Sequence, residues 1–403
     1  MRRVALVVLA CLGIARAAIA LEPEERSGVA TLPPIGVHSV WVPDRLLQHS
    51  VLFDGDTGHV LGMVDSGVAV TPKPPLLSRA RGEIYSVDIV YSRGKRGNRL
   101  DVVSIYDAKT LKPIGEVLLP TKTGESNASL AYTALLDGGR FLLVFNQFPN
   151  TSASVVDLQA RRFVGEIPLA GCAGIYPAGE RRFATLCGDG TVGQVDLDAE
   201  GHKAGLNWSD RFFDAVKDPV MMSAGRDAQR WFFVSFEGKV REVDFSGSAP
   251  RVARSWSLVG EGDRKAGWRV GGLQHVALHG ASGRLFVVVH RGGPGSHKDP
   301  GPEIWVYDLS RRTRVDRFKV PNLAGAFLGP LLGAEPGGFL DRLFRIVVPN
   351  QGAHTIAVTQ DASPLLFVRN ADVGVVGVLD ARTGATLRML GEAGFSGPTL
   401  EVP

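Results

Sequence analysis

The sequence predicts an all-β fold, a seven-bladed β-propeller of four-stranded antiparallel blades, closed by a C-terminal strand in blade one. Three observations point there. The 403 residues include 49 glycines and 24 prolines, a supply of turn residues that suits many short strands and few helices. A third-strand signature, apolar residues followed by Asp and a turn, occurs seven times, at Asp54, Asp107, Asp157, Asp196, Asp244, Asp308 and Asp380. The intervals of 53, 50, 39, 48, 64 and 72 residues centre on the blade length of kelch and WD-type propellers. Finally, Gly171 to Trp208 shows the repeat in its shortest form, as four apolar runs separated by turn residues: Ala173–Tyr176, Arg182–Leu186, Val192–Asp196 and Lys203–Trp208. Two β-sandwiches are the alternative, but a two-domain chain should break the uniform period.

The N-terminus reads as a processing signal. Arg2 and Arg3 precede an apolar run from Val4 to Ile14, and Ala18-Ile19-Ala20 fits a small-x-small cleavage site, so cleavage is expected after about Ala20. A lipobox ending in Cys11 is a rival, with only seven residues of apolar lead. Residues 1–20 hold Arg2, Arg3, Arg16 and no acid, so removing them lowers the formal charge from +4 to +1. No nucleic-acid partner is then implied, and no later segment has membrane-span character. Export, to the periplasm, leaves two cysteines, Cys172 and Cys187. An even pair in an oxidising compartment argues for a disulfide, of about 3 kcal/mol in the chain-entropy model; two free buried thiols are the alternative.

The repeats follow in order. Residues 21–36 read as a loose arm and 37–403 as the propeller. The first repeat begins at Ser39–Val42 and lacks an innermost strand. The run Thr399–Val402 is expected to supply it, closing the ring with both termini in one blade. Each Asp signature follows an aliphatic-aromatic second strand: Ile84–Tyr91, Phe141–Phe145, Trp231–Phe236, Leu285–His290 and Leu365–Arg369. Asp54, Asp107 and Asp380 each have Thr three positions on, the chemistry of a tight turn held by its own carboxylate. Two irregularities interrupt the pattern. Arg93 to Arg99 is a basic loop, either a solvated hairpin tip or a docking loop. Residues 321–352 are an insertion rich in Leu, Phe, Gly and Pro, whose apolar content implies burial against the propeller or another subunit.

Chemistry-bearing motifs are few. Gly188 to Gly193 matches G-x-G-x-x-G but lies between two strands, without the helix N-terminus a phosphate needs. His275, His279, His290 and His297 cluster in sequence; on a strand, His275 and His279 stand too far apart for one ion, so hydrogen-bonding or turn roles are expected. There is no G-x-S-x-G, P-loop, H-E-x-x-H or C-x-x-C-H. From the residues alone, the chain is an exported propeller with no visible catalytic centre of its own.

Beyond the pattern, the chain resembles the heavy subunit of the tryptophan tryptophylquinone-dependent amine dehydrogenases, the aralkylamine (aromatic amine) enzymes first and the methylamine enzymes next. The resemblance rests on ordered pieces: Arg93–Arg96 before Asp101–Val103, Gly171-Cys172 with Cys187–Gly190, Lys217–Pro219, Asp244–Gly247, Trp256–Leu258, Trp268 with Gly271-Gly272, Leu278-His279 with Ala281–Arg284, His297-Lys298 and Glu303–Val306. It implies a periplasmic propeller that holds a small light subunit, two heavy chains with two light. The quinone cofactor and the catalytic base belong to that light subunit, which is packed with disulfides; a chain with two mature cysteines is not it. The implied reaction is oxidative deamination of a primary amine to aldehyde and ammonia, with electrons passed to a blue copper protein of azurin or amicyanin type. This chain then carries no catalytic, cofactor or metal residue, and shapes access to the quinone. Where the family places a channel-lining aromatic, this sequence aligns Val68, the substrate-channel candidate. The 321–352 insertion also departs from the family pattern. Against this stand two other readings, a stand-alone exported binding propeller and a propeller hydrolase with an axial metal.

Overall fold

The computed structural model describes residues 31–403 apart from 69–71, 121–122, 125–127, 336, 392 and 395. The expected signal peptide, its cleavage point and the arm up to residue 30 lie outside the described residues. Seven antiparallel sheets follow one another along the chain, as expected. The most regular is the one predicted from Gly171–Trp208: Cys172–Gly179, Arg182–Cys187, Val192–Leu197 and Lys203–Trp208, paired in sequence order. All seven signature Asp residues lie at or next to the end of a third strand counted from the axis, where the strand gives way to a turn.

The turns work as the composition implies, with one exception. The Asp107 carboxylate accepts from the amides of Lys109 and Thr110 and from the Thr110 hydroxyl, at 3.1, 2.8 and 2.8 Å. Asp54, Asp157, Asp244, Asp308 and Asp380 accept from amides or hydroxyls of their own turns in the same way. In blade four the duty moves two residues on. Asp198 accepts from the amides of Glu200 and His202, while Asp196 pairs with Arg182 on the neighbouring strand. The G-x-G-x-x-G segment is a hairpin turn, with Thr191 donating to Asp189, as its position between strands required.

The core is divided among the blade interfaces. Seven buried apolar clusters fill them, one between each adjacent pair of blades. Blade one holds three strands of its own, Ser39–Asp44, His49–Asp54 and Val60–Asp65. Its innermost position is taken by the chain end: Trp41 N–H donates to Glu401 O at 2.8 Å and Glu401 N–H donates back at 3.1 Å. Leu400 is fully buried between blades one and seven. Two buried polar side chains reinforce this seam. The Gln274 carboxamide donates to Ile356 O and Leu400 O and accepts from Leu400 N–H, tying blades six, seven and one together. The Arg369 guanidinium, with no exposure, donates to Pro43 O and Ala393 O, both at 2.9 Å.

Residues 32–36, the described end of the arm, lie along the propeller: Leu32 N–H donates to Lys109 O, and Ile35 is buried. The insertion folds as two nine-residue helices, Leu323–Leu331 and Phe339–Val347. Asn322 caps the first by accepting from Gly325 N–H at 3.0 Å. Leu323, Ala324 and Ala326 enter the core between blades six and seven. Among the described residues, no helix is long and apolar enough to cross a membrane.

Candidate functional site

Antiparallel alternation gives the propeller two unlike faces. First-to-second and third-to-fourth strand turns emerge on one, where the Asp turns are polar and short. Second-to-third turns and the blade-to-blade crossovers emerge on the other, and several of the crossovers are long. The long face carries the basic hairpin between Glu83–Arg93 and Arg96–Asp107, the crossover from Ser209 to Pro219, and the helical insertion. It also displays large apolar side chains in water: Leu46, Phe148, Val216, Leu332, Phe339 and Ile346, the last two 79% exposed. Such a concentration on one face is the mark of a surface that another chain covers. The insertion is thus split. Its first helix is buried against the propeller, and its second turns apolar side chains outward.

The arginines of the basic hairpin tip point into solvent, apart from Arg99, which donates to the Asp101 carboxylate. Val68 lies on the same long face, half-buried on the crossover from blade one to blade two, with its N–H donating to Ile89 O at 2.8 Å. Beneath it stands the buried carboxyl of Asp88, which accepts from the Ser104 and Ser86 hydroxyls. Burial pushes Asp88 up to about 6, against the pull of those hydroxyls.

The histidines do not converge. His275 is fully buried, and burial lowers its pKa to about 4 against the opposing pull of the Val234 backbone, so it stays neutral. His279 bonds the Ser282 hydroxyl and Asp361 O, at 2.7 and 2.9 Å, and His290 bonds the Ser296 hydroxyl at 2.8 Å. His297 packs edge-on against Phe236. Among the described residues, no group of three His, Cys, Asp or Glu could hold a metal ion. Cys172 and Cys187 face each other across the first and second strands of blade four and are joined as a disulfide, as the export argument required.

Sequence reasoning missed the axial cavity. The innermost strands enclose a vestibule of about 650 Å³ that opens on the short-turn face, lined by Arg79, Arg226, Val276, Ile356, Asp361 and Glu401. It leads to a smaller recess of about 170 Å³ bounded by Ile175, Tyr176, Met222, Arg226 and Trp231. Glu401 keeps part of its surface open to the vestibule. Burial alone pushes its carboxyl up to about 8. An acid in the apolar run Thr399–Val402 was the one signal of this site in the sequence; Arg226 sits on a strand with no motif.

The comparisons with known proteins fall on this geometry. Residues 43–323, from blade one to the start of the insertion, match the family described as methylamine dehydrogenase heavy chain. The chain belongs to that family. Methylamine dehydrogenase heavy chains of Methylorubrum extorquens and Paracoccus versutus are 24% and 27% identical to it, over 91% and 86% of this chain and 82% and 74% of theirs. That of Methylophilus methylotrophus is 24% identical over 92% of this chain and 85% of its own. Among solved structures, a protein of unknown function from Desulfotomaculum acetoxidans superposes with a TM-score of 0.57 at 10% identity, covering 90% of this chain and 98% of that one. The dihydro-heme d1 dehydrogenase NirN superposes with a TM-score of 0.54 at 16% identity, covering 95% of this chain and 78% of that one. These likenesses show the propeller fold. Membership of the heavy-chain family makes this chain an amine dehydrogenase subunit with a light-subunit partner. The family match ends at residue 323, where the first inserted helix begins.

Proposed function

We propose that this chain is the non-catalytic heavy subunit of a periplasmic amine dehydrogenase. It seats a light subunit on its long-loop face, two heavy chains with two light. The quinone, tryptophan tryptophylquinone, belongs to the light subunit, where it supplies the carbonyl chemistry that oxidises a primary amine. Electrons leave to a blue copper protein of azurin or amicyanin type. The observation that carries this reading is the asymmetry of the two faces: Leu46, Phe148, Val216, Phe339 and Ile346 are exposed on one face only, in a chain of this family. Val68 stands on that face, on the crossover from blade one to blade two. We place it beside the amine's route to the quinone, where an aliphatic side chain leaves more room than an aromatic one.

Co-expression with a small, cysteine-rich exported chain encoded nearby tests this. The expected result is co-purification, with a quinone absorbance band and amine-dependent dye reduction in the complex alone. Amine oxidation by this chain in isolation would overturn the assignment, as would failure of the two chains to associate.

A further inference from the structure

The axial cavity opens on the face opposite the proposed light-subunit seat, and neither the family nor the amine chemistry gives it a role. Its inner recess is a preformed aromatic slot. The Trp231 indole N–H donates to Pro177 O at 2.8 Å and the Tyr176 hydroxyl donates to Met222 O at 3.0 Å, so both rings are held. The two rings meet edge to face with centroids 5.1 Å apart. A dry apolar cavity of about 150 Å³ is large enough for one benzene ring, and this recess is of that size. Arg226 stands where recess and vestibule join, lining both. Its guanidinium lies 5.8 Å from the Trp231 ring centroid, and its one hydrogen bond among the described residues runs from Nε to Ala228 O. The neighbouring carboxylate, Asp227, is engaged by Arg230. The outer N–H groups of Arg226 are thus free for a ligand.

The charge balance of the cavity selects the sign of that ligand. Arg79 is a second guanidinium at the mouth, bonded to the carbonyls of Ile35, Gly36 and Pro403. Asp361 is occupied by His38, Thr359 and Ser363. Glu401 has no donor among the described residues, and burial keeps it protonated at neutral pH. Arg226 therefore faces the space as the cation with open N–H groups, and among the described residues no unpaired carboxylate stands against it at neutral pH. We propose that the axial cavity binds a small aryl carboxylate, with its ring in the Tyr176–Trp231 recess and its carboxylate on the outer N–H groups of Arg226.

Calorimetric titration of the purified full chain with phenylacetate tests this, independently of the amine dehydrogenase reading because no light subunit is needed. One molecule per chain is expected to bind at pH 7. Loss of a charge-assisted pair corresponds to about tenfold or more in affinity. Phenylacetamide, which keeps the ring and loses the charge, should therefore bind the unmodified chain at least tenfold more weakly. Arg226→Gln should do the same with an unchanged melting temperature. Raising the pH from 7 to 9 ionises Glu401 and should weaken binding to the wild type, while Glu401→Gln should remove that dependence. Equal binding of phenylacetamide, full affinity in Arg226→Gln, tighter binding of 2-phenylethylammonium, or no saturable binding up to about 10 mM would each overturn the proposal.

Discussion

At the scale of single residues, the seam between blades one and seven concentrates the costly groups. Arg369 is a cation without exposure, and burial lowers its pKa to about 10 while the nearby Asp44 works the other way. It stays charged at neutral pH, and both of its acceptors are backbone carbonyls of that seam. Arg369→Met should cost about 3–5 kcal/mol in urea unfolding, because it leaves buried acceptors unpaired. On the rim of the same seam, His38 sits between the carboxylates of Asp56 and Asp361, at 2.8 and 3.1 Å. Desolvation would lower its pKa, but the hydrogen bonds and charges of the two acids outweigh it and the net shift is upward. A raised folded-state pKa means that His38 contributes its full stability below its ordinary value near 6.5. That contribution is lost as pH rises through the higher folded value. Asp361 runs the opposite way. Despite desolvation, the Thr359 hydroxyl, the Ser363 amide and His38 lower it to about 2, so its contribution holds above pH 3.8 and disappears as pH falls toward 2. Melting temperatures across pH 5–9 should show a wild-type advantage over His38→Gln that is largest at pH 5 and shrinks at pH 9.

At the scale of elements, the disulfide and the inserted helices make opposite predictions. The Cys172–Cys187 bond closes a 15-residue interval inside the shortest blade. The double variant Cys172→Ser/Cys187→Ser should lose about 3 kcal/mol of unfolding free energy, and reductant should lower the wild type to match it. The second inserted helix should behave otherwise. Phe339 and Ile346 touch little of the propeller, so Phe339→Glu/Ile346→Glu should leave the melting temperature unchanged and abolish co-purification with the light subunit. The sequence made this insertion visible as an apolar excess but not its division of labour. Leu323 and Ala326 are no more apolar than Leu332 and Ile346. Only the packing of the first helix against blades six and seven, with the helix end that Asn322 caps, decides which are buried.

At the scale of the whole molecule, ring closure is the event on which the other contacts depend. Leu400 fills the interface of blades one and seven, Glu401 completes blade one, and Gln274 reaches across from blade six to hold them. Ending the chain after Gly397 removes all three at once. Loss of the buried Leu400 side chain alone is worth about 3 kcal/mol, and an open sheet edge is left at blade one. The truncated chain should unfold at lower urea and form larger species in light scattering.

The sequence by itself determined the number of blades, most of the turn chemistry and the chain end that closes the ring, because these follow from local patterns. An Asp that closes a strand and caps its own turn acts within five residues, and strand alternation acts within six. The disulfide was legible too, from the even pair of cysteines left once the expected signal segment is set aside. What only the tertiary structure decided are the groups whose partners lie on other blades. Arg226, Gln274, Arg369 and Glu401 stand on strands that look like their neighbours. Arg369 meets Pro43 from 326 residues away, and Gln274 meets Leu400 across 126. A ring converts such separations into contacts at its axis and its seam, and no local period records which residue arrives there.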